Sequence, residues 1–483
     1  MNTEQLHQQL AQLEILSRQL EPTAANRHEW NHQTQNYADQ FLDGIENRNA
    51  YDQSPESPIP LLEIEDSPKA FPQLLQWLDQ VVDRSGINPA SGGHLGYIPG
   101  GGVFAGALGD YLAAVSNRYA GLYFANPGAV RMENQLIRWM CKMVGYPAPA
   151  LGNLTSGGSL ANLIALTTAR EKKGLTASMI PKTVIYLSEQ VHHCVQKAIR
   201  IAGLKEAVIR YVPLDDRFRM RADALEEILQ QDRKAGLDPF LVVGSAGTTD
   251  TGAIDPLAAI AQLAREYQLW FHVDAAYGGF FLLVEAFKAA FAGIEQSDSL
   301  AIDPHKGLFL PYGIGAVLIK DVHAQHGAHY YQANYMQDSL VMQDEPSPAD
   351  LSPELTKHFR GLRMWLPLHL YGLAPFRAAL EEKIYLCRYF YEKVQDLGFK
   401  VGPYPELSVM IFRYIPQEGN ADDFNEQLVR EVREDGRLFL SSTMIDGVYW
   451  IRLAVLSFRT HLREIELLLR ILEEKVSPQS IGS

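Results

Sequence analysis

Between residues 100 and 320 the chain alternates short apolar runs with amphipathic stretches of helix length, and nothing else in it constrains the fold as strongly. The runs fall at 183–187, 240–244, 269–274, 299–303 and 315–319, each about as long as a strand. Strands separated by helices do not pair as hairpins, so this pattern predicts an α/β domain with a mostly parallel sheet covered by helices. Helix starts are legible between the runs. At Asp255-Pro256 a capping residue precedes a proline at the first helical position, and Leu257, Ile260 and Ala264 follow on related faces. Open sheets of this kind place ligands outside the carboxyl ends of their strands, which is where chemistry is to be sought.

The flanks read differently. Residues 1–85 predict a helical arm, for example 71–82 with Leu74, Leu75, Leu78 and Val81, interrupted by the Ser/Pro loop at 54–60 and with little core of its own. Residues 86–370 form the large α/β domain. Residues 371–483 predict a small α+β domain with a strand at 409–414, a helix carrying Phe424, Leu428 and Val432, a strand at 449–455 and a last helix from Leu462. A chain of 483 residues exceeds what one ordinary core supports, in keeping with this division.

Several function classes are excluded. A net charge of −14 with no long Lys/Arg run repels phosphate backbones, so nucleic acid is not an expected partner. No apolar run approaches the roughly 20 residues of a membrane span, and residues 1–18 lack the basic-then-apolar order of a secretory signal. The cysteines, Cys141, Cys194 and Cys387, are odd in number and far apart, which offers neither a disulfide framework nor a Cys-rich metal site. The expected location is the cytoplasm.

Three clusters carry candidate chemistry. Thr155-Ser156-Gly157-Gly158-Ser159 runs into a helix-forming stretch, so unpaired amides, a hydroxyl and the positive end of a helix dipole meet at a place that favours a phosphate; a capped helix after a tight turn would look the same. Phe271-His272-Val273-Asp274-Ala275-Ala276 ends a strand in a carboxylate, which either caps a helix or pairs with a cationic ring nitrogen. Asp303-Pro304-His305-Lys306 places a lysine directly after strand-like sequence. Most lysines are solvated, but a partly buried amine becomes a nucleophile that forms imines. A phosphate cradle, a strand-end carboxylate and a strand-end lysine are together the anchors that pyridoxal phosphate requires. A zinc centre from His192, His193, His272, His305 and Asp274 lacks H-E-x-x-H spacing, so no metal is expected. A dinucleotide site at Gly100-Gly101-Gly102 is opposed by Pro99 where a strand should run.

With those residues in place, the sequence resembles the group II pyridoxal-phosphate decarboxylases of fold type I over nearly its whole length. NLTSGGSLANL, EQVHHCVQKA, SAGTTDTGAIDP, HVDAAYGG and DPHKGL stand in family order, and FRGLRMW at 359–365 matches the segment that opens the terminal domain. The resemblance implies that Lys306 carries pyridoxal 5'-phosphate as a Schiff base, that Asp274 partners the pyridine nitrogen, and that His192 stacks on the ring. It also implies that Gly158, Ser159 and His305 hold the phosphate and that Thr249 and Ala276 line the cofactor plane. His193 beside His192 departs from the smaller residue usual there; the spacing to Lys197-Ala198 favours His192.

The implied reaction is decarboxylation of an L-amino acid to its amine, with Tyr335 matching the tyrosine that returns a proton to the α-carbon. A phenylalanine there would instead point to aldehyde synthesis. Other reactions of the scaffold, such as carbon–carbon lysis, and a non-catalytic role for the cofactor remain alternatives. The segment Tyr97-Ile98-Pro99 matches the family's substrate pocket and suits an aromatic side chain, while three glycines follow where relatives carry bulkier residues, implying a wider pocket. The resemblance also implies a homodimer whose N-terminal helices wrap the partner.

Overall fold

A computed structural model of the chain describes residues 1–53, 60–331 and 345–477. Its central sheet has seven strands: β1 (Leu151–Thr155), β2 (Thr183–Leu187), β3 (Val208–Tyr211), β4 (Asp238–Ser245), β5 (Trp270–Asp274), β6 (Ser299–Ile302) and β7 (Gly315–Ile319). They lie in the order β1-β7-β6-β5-β4-β2-β3. All neighbours are parallel except at β7, which runs antiparallel to both β1 and β6.

The continuous apolar runs are explained by burial on both faces. Along β2, Val184 and Tyr186 enter one core while Ile185 and Leu187 enter the other. Helices supply the covering layers. In Pro127–Val144 the Asn126 side chain caps the Ala129 amide, Pro127 takes the first position, and Gly145 at φ 92° ends the helix. That helix buries Val130, Ile137, Met140, Cys141 and Val144 at helical spacing, each worth roughly 1.5–3 kcal/mol of hydrophobic stabilisation for a large apolar side chain.

Three local readings change. Helix Leu257–Tyr267 starts after Pro256 with no side-chain cap. Asp255 is instead buried, accepting from the Ser245 and Met220 amides at 2.7 Å each, and burial pushes its carboxyl up to about 6. Helix Phe71–Leu78 passes into a wider turn of π type over Asp79–Asp83. The small domain carries a hairpin where one strand was expected: β8 (Lys400–Val401), β9 (Val409–Arg413), β10 (Ser441–Ile445) and β11 (Val448–Ala454) form an antiparallel sheet in the order β8-β9-β11-β10. Asp446 and Gly447, both at positive φ, make the two-residue turn between β10 and β11.

The small sheet has its own core, including Phe390, Phe412, Leu428, Ile451 and Leu468. Leu95 belongs to that core as well. Its amide donates to the Phe439 carbonyl and its carbonyl accepts from the Ala454 amide, so the chain before the large sheet is tied to the small one. By contrast, helices Thr3–Ser17 and Ala24–Asp43 bury no residue. Among the described residues no helix is long and apolar enough to cross a membrane.

Candidate active site

The parallel strands bring five turns to one edge of the sheet. β1 leads into Ser156–Ser159, β2 into Gln190 and His192, β4 into Thr248 and Thr249, β5 into Ala276, and β6 into Asp303, His305 and Lys306. Side chains and backbone from all five line one cleft of about 350 Å³, a size suited to a small ligand. Gly158, Ser159, His192, Thr249, Asp274, Ala276, His305 and Lys306 all face it. Tyr335 lies outside the described residues. His193 does not line the cleft: its ring sits 4.1 Å from that of His192, on the solvent side.

At the first turn, helix Gly158–Lys172 begins with no side chain capping its amides, and those of Gly158 and Ser159 open on the cleft. A Cβ at Gly158 would stand 3.1 Å from Asp303 Oδ2 and 3.3 Å from the Ala276 Cβ, so glycine keeps this cradle open. His305 donates Nδ1–H to the Ile314 carbonyl at 2.6 Å, which leaves Nε2 for the cleft; burial holds its pKa below that of an ordinary histidine. His192 accepts at Nδ1 from the Cys194 amide, and its pKa is likewise lowered, chiefly by burial.

Asp274 is 8% exposed. Its Oδ1 accepts from the Ala276 amide at 3.1 Å and its Oδ2 from Asn162 Nδ2 at 3.4 Å. Asn162 is itself fixed, because its Oδ1 accepts from His272 Nε2 at 2.7 Å while Ser299 Oγ, 2.8 Å away, donates to His272 Nδ1. Trp270 Nε1 completes the chain by donating to that serine oxygen. Full burial lowers the His272 pKa to about 4, so the ring is neutral and the network that holds Asp274 carries no charge of its own.

Lys306 Nζ lies 3.1 Å from Asp303 Oδ2. Burial works against the ammonium, but Asp303 and then Asp274 outweigh it and raise the pKa above that of an ordinary lysine. Tyr97, Ile98 and Pro99 lie apart from the cleft lining. Ile98 packs in the main core, and Tyr97 is 56% exposed with its ring against His94 and Phe439. Two of the glycines after them are held by close packing. A Cβ at Gly100 would fall 2.2 Å from the His305 carbonyl oxygen, and one at Gly101 2.7 Å from Ser457 Oγ.

Sequence reasoning gave no role to Asn162, Asp303 or Arg452. Arg452, on β11, is buried and donates to the Thr249 carbonyl at 2.7 Å, to the Tyr97 carbonyl at 3.1 Å and to Ser441 Oγ at 3.0 Å. Burial lowers its pKa to about 10, still charged at neutral pH. An arginine in the middle of Val448–Ala454 was the available signal, since a charge there needs buried acceptors.

The family model described as "Pyridoxal-dependent decarboxylase conserved domain" matches residues 61–415. The chain belongs to the pyridoxal-dependent decarboxylases. It is 34% identical to an aromatic-L-amino-acid decarboxylase of Bacillus atrophaeus, over 84% of this chain and 86% of that protein. It is 28% identical to a phenylacetaldehyde synthase of Arabidopsis thaliana, over 85% of this chain and 88% of that protein. The crystal structure of Catharanthus roseus tryptophan decarboxylase in complex with L-tryptophan shares the fold, with a TM-score of 0.86 at 23% identity, covering 94% of this chain and 99% of that one.

As a pyridoxal-dependent decarboxylase the chain is a lyase of fold type I that uses pyridoxal 5'-phosphate to decarboxylate an L-amino acid. Its own residues fit that cofactor. The cradle at Gly158 is one a Cβ would crowd, the helix start lacks a side-chain cap, Asp274 presents a buried carboxylate, and Asp303 Oδ1 is buried without a partner. Among the described residues no three His, Cys, Asp or Glu side chains converge to hold a metal ion.

Proposed function

We propose that the cleft decarboxylates an aromatic L-amino acid, with Lys306 as the amine that attaches the cofactor and Asp274 as the partner of its ring nitrogen. Gly158, Ser159 and His305 hold the phosphate through amides, hydroxyl and imidazole. His192, Thr249 and Ala276, which line the same cleft, would hold the cofactor ring. When bound, pyridoxal phosphate supplies an electron-withdrawing pyridinium that makes loss of carbon dioxide from the α-carbon feasible. Asp274 keeps a proton on the ring nitrogen, each pKa unit of that support being worth about 1.4 kcal/mol. Lys306 would hold a proton within the cleft, and Tyr335 would supply one to the α-carbon.

The observation that carries the substrate class is the lining itself. Among the described residues no arginine lines the cleft, and Arg452 behind Thr249 gives its donors to two carbonyls and Ser441, so an acidic side chain would enter without a fixed counter-charge. The 34% identity to an aromatic-L-amino-acid decarboxylase supports the same choice. The test is a panel of L-tyrosine, L-DOPA, L-tryptophan, L-phenylalanine and L-glutamate, with carbon dioxide, ammonia and hydrogen peroxide measured together. Carbon dioxide from aromatic substrates with neither ammonia nor peroxide is expected. Stoichiometric ammonia and peroxide would identify aldehyde synthesis, and turnover of glutamate alone would overturn the aromatic assignment.

A homodimer in the cytoplasm completes the proposal. Leu6, Leu10, Leu13, Leu16 and Leu20 are half exposed or more on the first helical segment, as are Tyr111 and Val115 on helix Phe104–Ser116, which is more apolar surface than an isolated subunit carries without use. Three buried, unpaired cysteines suit a reducing compartment.

A further inference from the structure

Lys306 is faced by Asp303 from its own turn, Asp274 from the end of β5, His192 and Cys194 from the start of helix His193–Ile201, and His305 and Tyr312 beside it. Two of these groups are carboxylates, Asp303 and Asp274. Burial keeps the Cys194 thiol protonated, its pKa pushed up to about 12, raises that of Tyr312, and holds both imidazoles below their ordinary range. Asp274 is committed, with both oxygens accepting from Ala276 and Asn162. Asp303 is 2% exposed; its Oδ2 lies 3.1 Å from Lys306 Nζ and 3.7 Å from His305 Nε2, and its Oδ1 has no partner. The carboxylate is also fixed in place. Its backbone carbonyl accepts from the Lys306 amide at 2.9 Å, and Gly315 stands so close that a Cβ there would be 2.5 Å from Oδ1.

We propose that Asp303 is the proton-holding partner of Lys306: it anchors the ammonium while the amine is free and accepts its proton when the amine becomes a nucleophile. In that transfer an Nζ–H bond breaks, an Oδ–H bond forms, and the electron pair stays on nitrogen. An ammonium cannot attack a carbonyl, and a buried amine with no anion beside it could not stay charged between turnovers. Asp303 meets both needs from one position, with Oδ2 facing Nζ at 3.1 Å. This role rests on Lys306 being the amine that attaches the cofactor.

The test uses the full chain freed of cofactor and labelled with acetic anhydride across pH, with acetylation of Lys306 and of the exposed Lys205 followed by peptide mass spectrometry. In the native chain Lys306 should titrate at or above Lys205 despite its enclosure. Asp303→Asn should lower the Lys306 midpoint by at least about one pH unit, which is about a tenfold rise in labelling at pH 8 relative to Lys205, and Asp303→Glu should restore it. A merely structural role would change the plateau rate at high pH and leave the midpoint in place; that result overturns the proposal. If Asp303→Asn fails to fold, the native profile decides: a Lys306 midpoint well below that of Lys205 is equally fatal. Failure of the parent assignment is a separate result, namely a borohydride-reducible cofactor linkage that survives in Lys306→Ala.

Discussion

The cleft and the N-terminal helices are built on opposite plans. At the cleft, each functional group ends a buried strand or starts a buried helix, and its neighbours are themselves hydrogen-bonded, as in the run from Trp270 through Ser299, His272 and Asn162 to Asp274. In helices Thr3–Ser17 and Ala24–Asp43, capping is in order at Asn2 and Thr23, yet nothing is buried. The first region is packed and hydrogen-bonded within the chain. The second has local helix signals and only surface contacts, such as Trp30 against Phe71 and Tyr111 donating to Asn31, and its leucines call for a second surface.

That contrast can be broken most severely at Lys306. Lys306→Ala should abolish the borohydride-reducible linkage and reduce amine formation to background while the far-ultraviolet spectrum stays native; a persisting linkage would place the cofactor elsewhere. A smaller effect is expected from acid. His272 and His94 are buried with pKa values lowered to about 4, so the folded state resists their protonation. The unfolded chain takes up protons near the ordinary pKa of 6.5, so this stabilisation is complete above 6.5 and is lost as pH falls towards 4. By pH 5 each histidine should have cost about 2 kcal/mol, read as a falling urea midpoint. An unchanged midpoint between pH 7 and pH 5 would show that one or both rings carry a proton in the fold.

Asn162→Ala tests whether the support behind Asp274 is as exacting as its geometry. Loss of one hydrogen bond to a buried carboxylate is worth about 1–3 kcal/mol, or roughly 5- to 150-fold in cofactor affinity, measured by equilibrium dialysis. Native affinity would mean that the Ala276 amide suffices. The smallest change in stability is expected at the arm. Leu10→Asp with Leu13→Asp should alter subunit stability by less than about 0.5 kcal/mol, since both sites are exposed, while halving the mass seen by light scattering. A native mass would remove the arm from the proposed dimer interface.

What the sequence revealed follows the same division. β2, β4, β5, β6 and β7 are legible because burial on both faces demands unbroken apolar runs. β1 is not: Gly152 is required where a Cβ would meet the Val317 carbonyl at 1.9 Å, and Asn153 donates to Pro348 and accepts from Gln325, so neither residue reads as strand. β3 lies at the sheet edge and is only partly covered, which weakens its pattern. Lys306 and Asp274 stand in motifs because each acts at a strand end. Asn162 and Arg452 act through partners 110 and 203 residues away, and no local pattern encodes such a distance. Asp303 sat in a motif in plain view, but its meaning depends on Gly158 and Gly315 closing around it.

Arg452 has a consequence for how such chains can be recombined. Its guanidinium reaches from the small sheet to the carbonyls of Thr249 and Tyr97. A chimera that took its C-terminal domain from a relative would therefore replace the clamp on a loop of the cleft, even with every residue lining that cleft unchanged. The two sheets are not interchangeable modules, since Val409 and Ala454 of the small sheet also pack in the main core, and a crossover that respects function has to carry β11 together with the turn at 246–254.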